Sequence, residues 1–133
     1  MFAHLRIARP VSNLERSVAM YVHGLGLQTL GRFDNHEGFD GVMLGHPDLA
    51  YHLEFTRSHD HPVNPSPTPE DLLVFYLPHQ GDWAAACLRM LDAGFVATTS
   101  VNPYWNQRGR TFVVPDGYQV VVEHDTWLAA SPP

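Results

Sequence analysis

Cysteine is nearly missing: Cys87 is the only one in 133 residues, so no internal disulfide can brace the fold. It falls on the apolar face of a helical pattern, where a buried thiol rather than a nucleophile is expected. Charge is sparse too, 17% of residues, and the formal net charge is −6. No cluster of basic residues offsets that acidic balance, which excludes the electrostatic footprint of a nucleic-acid binder. No apolar run approaches the ~18 residues of a transmembrane helix. The opening Met1-Phe2-Ala3-His4-Leu5-Arg6 lacks the apolar core of a secretory signal. Together these absences predict a soluble cytoplasmic protein with no membrane or nucleic-acid partner. Familiar catalytic signatures are missing as well. There is no glycine-rich phosphate loop, no Gly-x-Ser-x-Gly elbow and no Cys-x-x-Cys, and no residue order specifies a Ser/His/Asp triad.

What is present is apolar material for one hydrophobic core, 44% of the chain, and a repeat. Pro10 and Pro78, Gly26 and Gly94, Pro47 and Pro115, and Asp48 and Asp116 each stand 68 residues apart. A repeat of that length is too long for a solenoid unit and suits two small α+β modules. In the first copy, residues 4–10 read as a strand. Ser12-Asn13-Leu14-Glu15 then fits a capping box. Leu14, Val18, Tyr21, Val22 and Leu25 form a helical stripe, ended by Gly24 and Gly26. Strands follow at 27–33, 41–45 and 50–56. Four prolines between 57 and 70 mark a linker. The second copy opens with a strand at 72–77. A helix over 82–93 follows, capped by Asp82, with Trp83, Cys87, Met90 and Leu91 as its stripe. Strands at 95–100, 110–114 and 118–124 complete it. The expected fold is α+β: two βαβββ modules forming a cupped, half-open barrel-like sheet with helices outside. Residues 1–133 make one domain, with module one at 1–56, the linker at 57–70 and module two at 71–126. The cleft of such a pair is where function is sought.

That order resembles the vicinal oxygen chelate superfamily of glyoxalase I, extradiol dioxygenases, fosfomycin-resistance enzymes and bleomycin-resistance proteins. The resemblance is carried by Asn13-Leu14-Glu15-Arg16-Ser17, Tyr21, Gly24-Leu25-Gly26-Leu27, Tyr51-His52-Leu53-Glu54-Phe55 and Val114-Pro115-Asp116-Gly117-Tyr118. The stretches Arg6-Ile7-Ala8-Arg9-Pro10-Val11, Asp40-Gly41-Val42-Met43 and Asn102-Pro103-Tyr104-Trp105 look like the YycE-like branch. The resemblance implies a homodimer, often with a site shared between chains. It also implies four metal-ligand positions, which fall here on Arg6, Glu54, Val74 and Val121. Only Glu54 of these can ligate, since a guanidinium has no lone pair to give. No cofactor is therefore expected. The alternative is a divalent metal such as Zn, Fe, Ni or Mn at a shifted site of His4, His52, Glu54 and Glu123, which strand parity puts on the same faces.

The functional expectation is metal-independent binding of a small organic molecule in the cleft. Arg6, His52, Glu54, Tyr76, Tyr104, Trp105 and Gln119 are the candidate ligand-binding residues. Its rival is a metal-dependent lyase, isomerase or dioxygenase using the shifted site, and a third option is a metal-free enzyme with Glu54 as base. Arg6 is expected to replace the metal by pairing with Glu54. Tyr104 and Trp105 either cover a sheet edge or form a wall for a flat ligand. Tyr76 either offers its hydroxyl to a ligand or fills the barrel. His59 and His61, in the linker, are expected to meet solvent. His46, His79 and His23 have equally plain places in a turn, at a strand end and at a helix C-terminus.

Overall fold

The computed structural model describes residues 1–129. The chain forms two compact units, Met1–Pro65 and a second beginning at Ser66. Each runs β-α-β-β-β.

The first unit comprises β1 (Leu5–Pro10), α1 (Leu14–Leu25), β2 (Gln28–His36), β3 (Phe39–Gly45) and β4 (Tyr51–Ser58). The sheet order is β1-β4-β3-β2. β1 lies parallel to β4, and the other neighbours are antiparallel. The helix starts one residue later than the capping-box reading. Asn13, not Ser12, is the N-cap, and its side-chain oxygen accepts from the Arg16 N–H at 3.0 Å. The buried stripe is also rotated. Leu14, Ser17, Met20, Tyr21 and Gly24 face inward, whereas Val18, Val22 and Leu25 are only half-buried. Small residues at 17 and 24 let the helix sit close to the sheet, a use of Ser and Gly that apolar periodicity does not register. Val42 and Leu44 of β3 and Leu53 and Phe55 of β4 form the opposing core, all at or below 1% exposure. The Tyr21 ring meets Phe55 edge-on at 4.8 Å.

The second unit comprises β5 (Leu72–Tyr76), α2 (Gln80–Asp92), β6 (Val96–Thr98), a single 3-10 turn (Pro103–Asn106), β7 (Gly109–Val113) and β8 (Gln119–Glu123). Its sheet order, β5-β8-β7-β6, copies the first, again with only the first pairing parallel. Neither sheet closes into a barrel. The second helix begins two residues before the expected Asp82 cap, with His79 at the N-cap and Asp82 in the first turn. Ala86, Cys87 and Met90 are buried against Phe112, Val120 and Val122. Leu91, expected in that stripe, is instead exposed. Trp83 is half-buried and donates its indole N–H to the Val122 carbonyl at 2.9 Å. Strand β6 is shorter than the 95–100 segment, because the Ser100 N–H turns aside to the Asn106 side-chain oxygen at 2.9 Å. Gly26 and Gly94, the matched pair of the repeat, both follow their helices with left-handed φ of 70° and 97°. That conformation is costly for any residue with a Cβ.

On the helix side of the first sheet, strand parity puts Asp40 in line with Val42 and Leu44, so a carboxylate enters the core layer. It is 6% exposed. It accepts from Arg57 at 2.7 Å, the Asn35 N–H at 2.8 Å and His59 Nε2 at 2.7 Å. His59 meets solvent as expected, its side chain 40% exposed, and is in addition tied to the sheet by this buried acid. The Arg57 guanidinium first, then the Asn35 N–H and the His59 ring, hold the Asp40 carboxyl well below the usual carboxylate range. A carboxyl depressed in the folded state stabilises the protein above its unfolded pKa, near 4, and that contribution is lost as pH falls further. Urea unfolding below about pH 4 should show a smaller acid-induced loss of stability in Asp40→Asn than in the parent. Parallel pH profiles for the two proteins would contradict this assignment.

Candidate functional site

The face of the first sheet turned away from α1 carries alternate residues of β1 and β4. Arg6 lies in register with His52, and Ala8 with Glu54. Because the pairing is parallel and in register, Arg6, His52 and Glu54 project from the same face. The Arg6 fork joins them. Nε donates to His52 Nε2 at 2.8 Å, and Nη1 donates to Glu54 Oε2 at 3.1 Å. His52 Nδ1 lies 2.6 Å from His4 Nε2, and the two rings stack at a tilt of 40°.

The guanidinium sets the direction of this chain of bonds. It can only donate, so His52 Nε2 must accept. A neutral His52 then carries its proton on Nδ1 and donates that N–H to His4 Nε2. Burial first, then the charge of Arg6 and the proximity of His4, lower the His52 pKa against an opposing pull from Glu54. The neutral, accepting ring is therefore the favoured one. The Glu54 side chain is 11% exposed and the Arg6 side chain 49%. Nη2 of Arg6 makes no hydrogen bond among the described residues. Phe2, His4, Leu5, Arg6 and Ala50 line a cavity of about 400 Å³ at this end of the sheet.

This arrangement does not suit a metal ion. The lone pairs a metal would take from Glu54 Oε2 and His52 Nε2 both receive guanidinium protons, and the centre already holds a fixed positive charge. Val74 and Val121, at the other two positions implied by the superfamily, sit opposite each other on β5 and β8 and offer no donor atom. Among the described residues no group of three or more His, Cys, Asp or Glu is placed to hold a metal. Of the shifted set, the first unit's members bond within that unit: His4 pairs with His52, and Glu54 accepts from Arg6.

In the second unit, the corresponding face carries Val74 and Tyr76 of β5, Gln119, Val121 and Glu123 of β8, and Gly109 and Thr111 of β7. Tyr104 and Trp105 form the 3-10 turn. Asn102 caps it, its side-chain oxygen accepting from the Tyr104 N–H at 3.0 Å. The two half-buried rings meet edge-to-face at 4.8 Å. Glu123 is almost fully buried, and among the described residues its Oε1 and the Oε1 of Gln119 lack hydrogen-bond partners. Cys87 is buried and its thiol pKa is raised, mainly by that burial, which removes it as a nucleophile.

Sequence reasoning missed the Asp40–Arg57–His59 cluster. The signal was available: Asp40 shares strand parity with Val42 and Leu44, and a carboxylate on a core face needs partners. That cluster borders a larger cavity of about 650 Å³, with Pro10, Phe39, Pro62 and Val63 among its walls. Each Asp40 oxygen is already bonded within the chain, so the cluster reads as a structural brace.

Two βαβββ modules of this kind define a member of the vicinal oxygen chelate superfamily, the fold of glyoxalase I. Within it the chain belongs to the YycE-like family. Residues 5–56 match the YycE-like N-terminal domain and residues 70–124 the YycE-like C-terminal domain. The chain is 42% identical to the uncharacterized protein YycE of Bacillus subtilis strain 168 over 119 residues, spanning 90% of this chain and 86% of that protein. A crystal structure of a YycE protein from B. subtilis superposes with a TM-score of 0.89 at 39% identity, covering 97% of this chain and 94% of the other. The trypanothione-dependent glyoxalase I of Leishmania major shares the fold at a TM-score of 0.72 and 19% identity, covering 94% and 88% of the two chains.

The Arg6–Glu54 contact predicts non-additive mutational effects. Arg6→Leu alone leaves a buried carboxylate without its cation, whereas Arg6→Leu with Glu54→Gln removes both charges. A double-mutant cycle on urea unfolding should give a coupling energy of about 1 kcal/mol, modest because Arg6 is half-exposed. Additive losses would show that the contact contributes nothing to stability.

Proposed function

We propose that this protein binds a small organic molecule without a metal, and that Arg6 anchors the ligand. The observation that carries the reading is the Arg6 fork. It stands where the superfamily places a metal ligand, and it occupies Glu54 and His52 while its Nη2 stays open. A guanidinium with a free edge beside an apolar cavity suits a ligand with one anionic oxygen and an apolar body. The oxygen would take the Nη2 hydrogens. The body would lie against Phe2 and Leu5, both strongly exposed apolar side chains. His52 and Glu54 position the fork, and on this reading neither is spent on chemistry. Among the described residues no helix is long and apolar enough to cross a membrane, which fits a ligand taken from water.

Calorimetric titration with small monocarboxylates, benzoate first, tests this. Binding should survive exhaustive chelation unchanged and weaken about tenfold in Arg6→Leu, as expected for loss of a charge-assisted bond. Binding that appears only after Zn²⁺ or Ni²⁺ is supplied, or that Arg6→Leu leaves intact, would overturn the proposal.

A further inference from the structure

The second unit holds a buried acid that the Arg6 site does not use. Glu123 ends β8, is 2% exposed, and its Oε1 has no hydrogen-bond partner. Native structures pair such atoms in the great majority of cases, so this one requires an explanation. The nearest cation does not supply it. Arg108 commits its Nε to the His124 carbonyl at 3.0 Å and to Asp125 at 3.4 Å. Burial first, then the charge of Asp125, raise the Glu123 carboxyl pKa, with Arg108 opposing only in part. Among the described residues no cation forms an ion pair with this acid.

Its surroundings are aromatic. Tyr76 is its register partner on β5. The Tyr76 phenol pKa is raised, first by burial and then by Tyr104, Glu123 and Asp125. Trp105 stands edge-to-face against Tyr104. A Cβ on Gly109 would stand 2.6 Å from Glu123 Oε1 and 2.7 Å from the Trp105 carbonyl oxygen. Two acceptors therefore converge on the one position in β7 that has no side chain. Gly109 also borders an open cleft of about 430 Å³ with Asn106, Gln107 and Arg108, which brings solvent to this corner of the sheet. Four residues back on the same face, the buried Oε1 of Gln119 is a further acceptor without a partner.

The unsatisfied atoms are acceptors, and aromatic residues stand on the paired strand and in the adjoining turn. Acceptors need a donor, while a carboxylate and aromatic rings both favour positive charge. An alkylammonium meets both demands: its N–H groups bond the oxygens and its polarised CH groups rest on the rings. We propose that Glu123, Tyr76, Tyr104 and Trp105 form a binding site for the ammonium group of a small organic amine. This deepens the reading of the protein as a small-molecule binder and rests on it. The site is separate in its residues from the Arg6 anchor.

Cyclohexylammonium and cyclohexanol make a suitable probe pair, alike in shape and different in charge. Tryptophan fluorescence of the intact chain should change saturably with the amine, and the alcohol should bind at least about tenfold more weakly. Glu123→Gln, which keeps the shape and removes the charge, should lose about tenfold in amine affinity without a fall in unfolding midpoint. Tyr104→Leu should weaken the amine and leave the alcohol unaffected. If Glu123→Gln fails to fold, the amine–alcohol comparison on the parent chain together with Tyr104→Leu still decides. Equal binding of amine and alcohol, or no saturable response to the amine, overturns the site. Benzoate binding in the same samples keeps the two proposals apart. Benzoate bound without amine would overturn this inference alone, and amine bound without benzoate would overturn the Arg6 anchor alone.

Discussion

Pairing the Glu54 carboxylate with a cation inside a mostly covered site is the constraint around which the open face of the first unit is organised. A carboxylate at 8% exposure needs a cation or a dense set of donors. Here the cation is Arg6, brought in by the first strand. Arg6 then dictates the state of everything it touches. Its obligatory donation fixes the His52 tautomer, and His52 in turn orients His4. Three side chains are ordered by one group that can only donate.

The same topology carries opposite electrostatics in the two units. In the first, the strand parallel to β1 brings an acid that meets a cation. In the second, the equivalent pair β5 and β8 presents Val74 and Val121 at the centre, with an acid two residues further along that meets none. Duplication preserved the backbone ladder and the glycines that end the helices. It did not preserve the side chains on the open faces, which are free to diverge because helix packing depends only on the other face.

Much of this was legible in the sequence. The 68-residue repeat announces two βαβββ units, and all eight strands fall within a few residues of their expected places. The alternation of Arg6 with Ala8 and of His52 with Glu54 is enough to predict one shared face. What escaped was whatever depends on size or on distant partners. Ser17 and Gly24 bury because they are small, which hydropathy cannot express. The helix containing Trp83 starts early because His79 and Gln80 extend it before any strong cap. His59 looked like a loop residue because its partner, Asp40, lies 19 positions away on another strand. The importance of Glu123 comes from a partner it lacks, and no sequence pattern encodes a missing neighbour.

Cys87 sits at 3% exposure between α2 and its sheet, with its thiol held protonated by burial. In the folded chain it is therefore silent to thiol reagents, and its modification must wait for α2 to lift. The rate at which a reagent in excess captures it becomes a clock for local opening of the second unit. A new cysteine engineered on the surface would be the one thiol available for a label while the protein stays native. The scarcity of cysteine with which the sequence opens thus makes the molecule its own control for single-site chemistry.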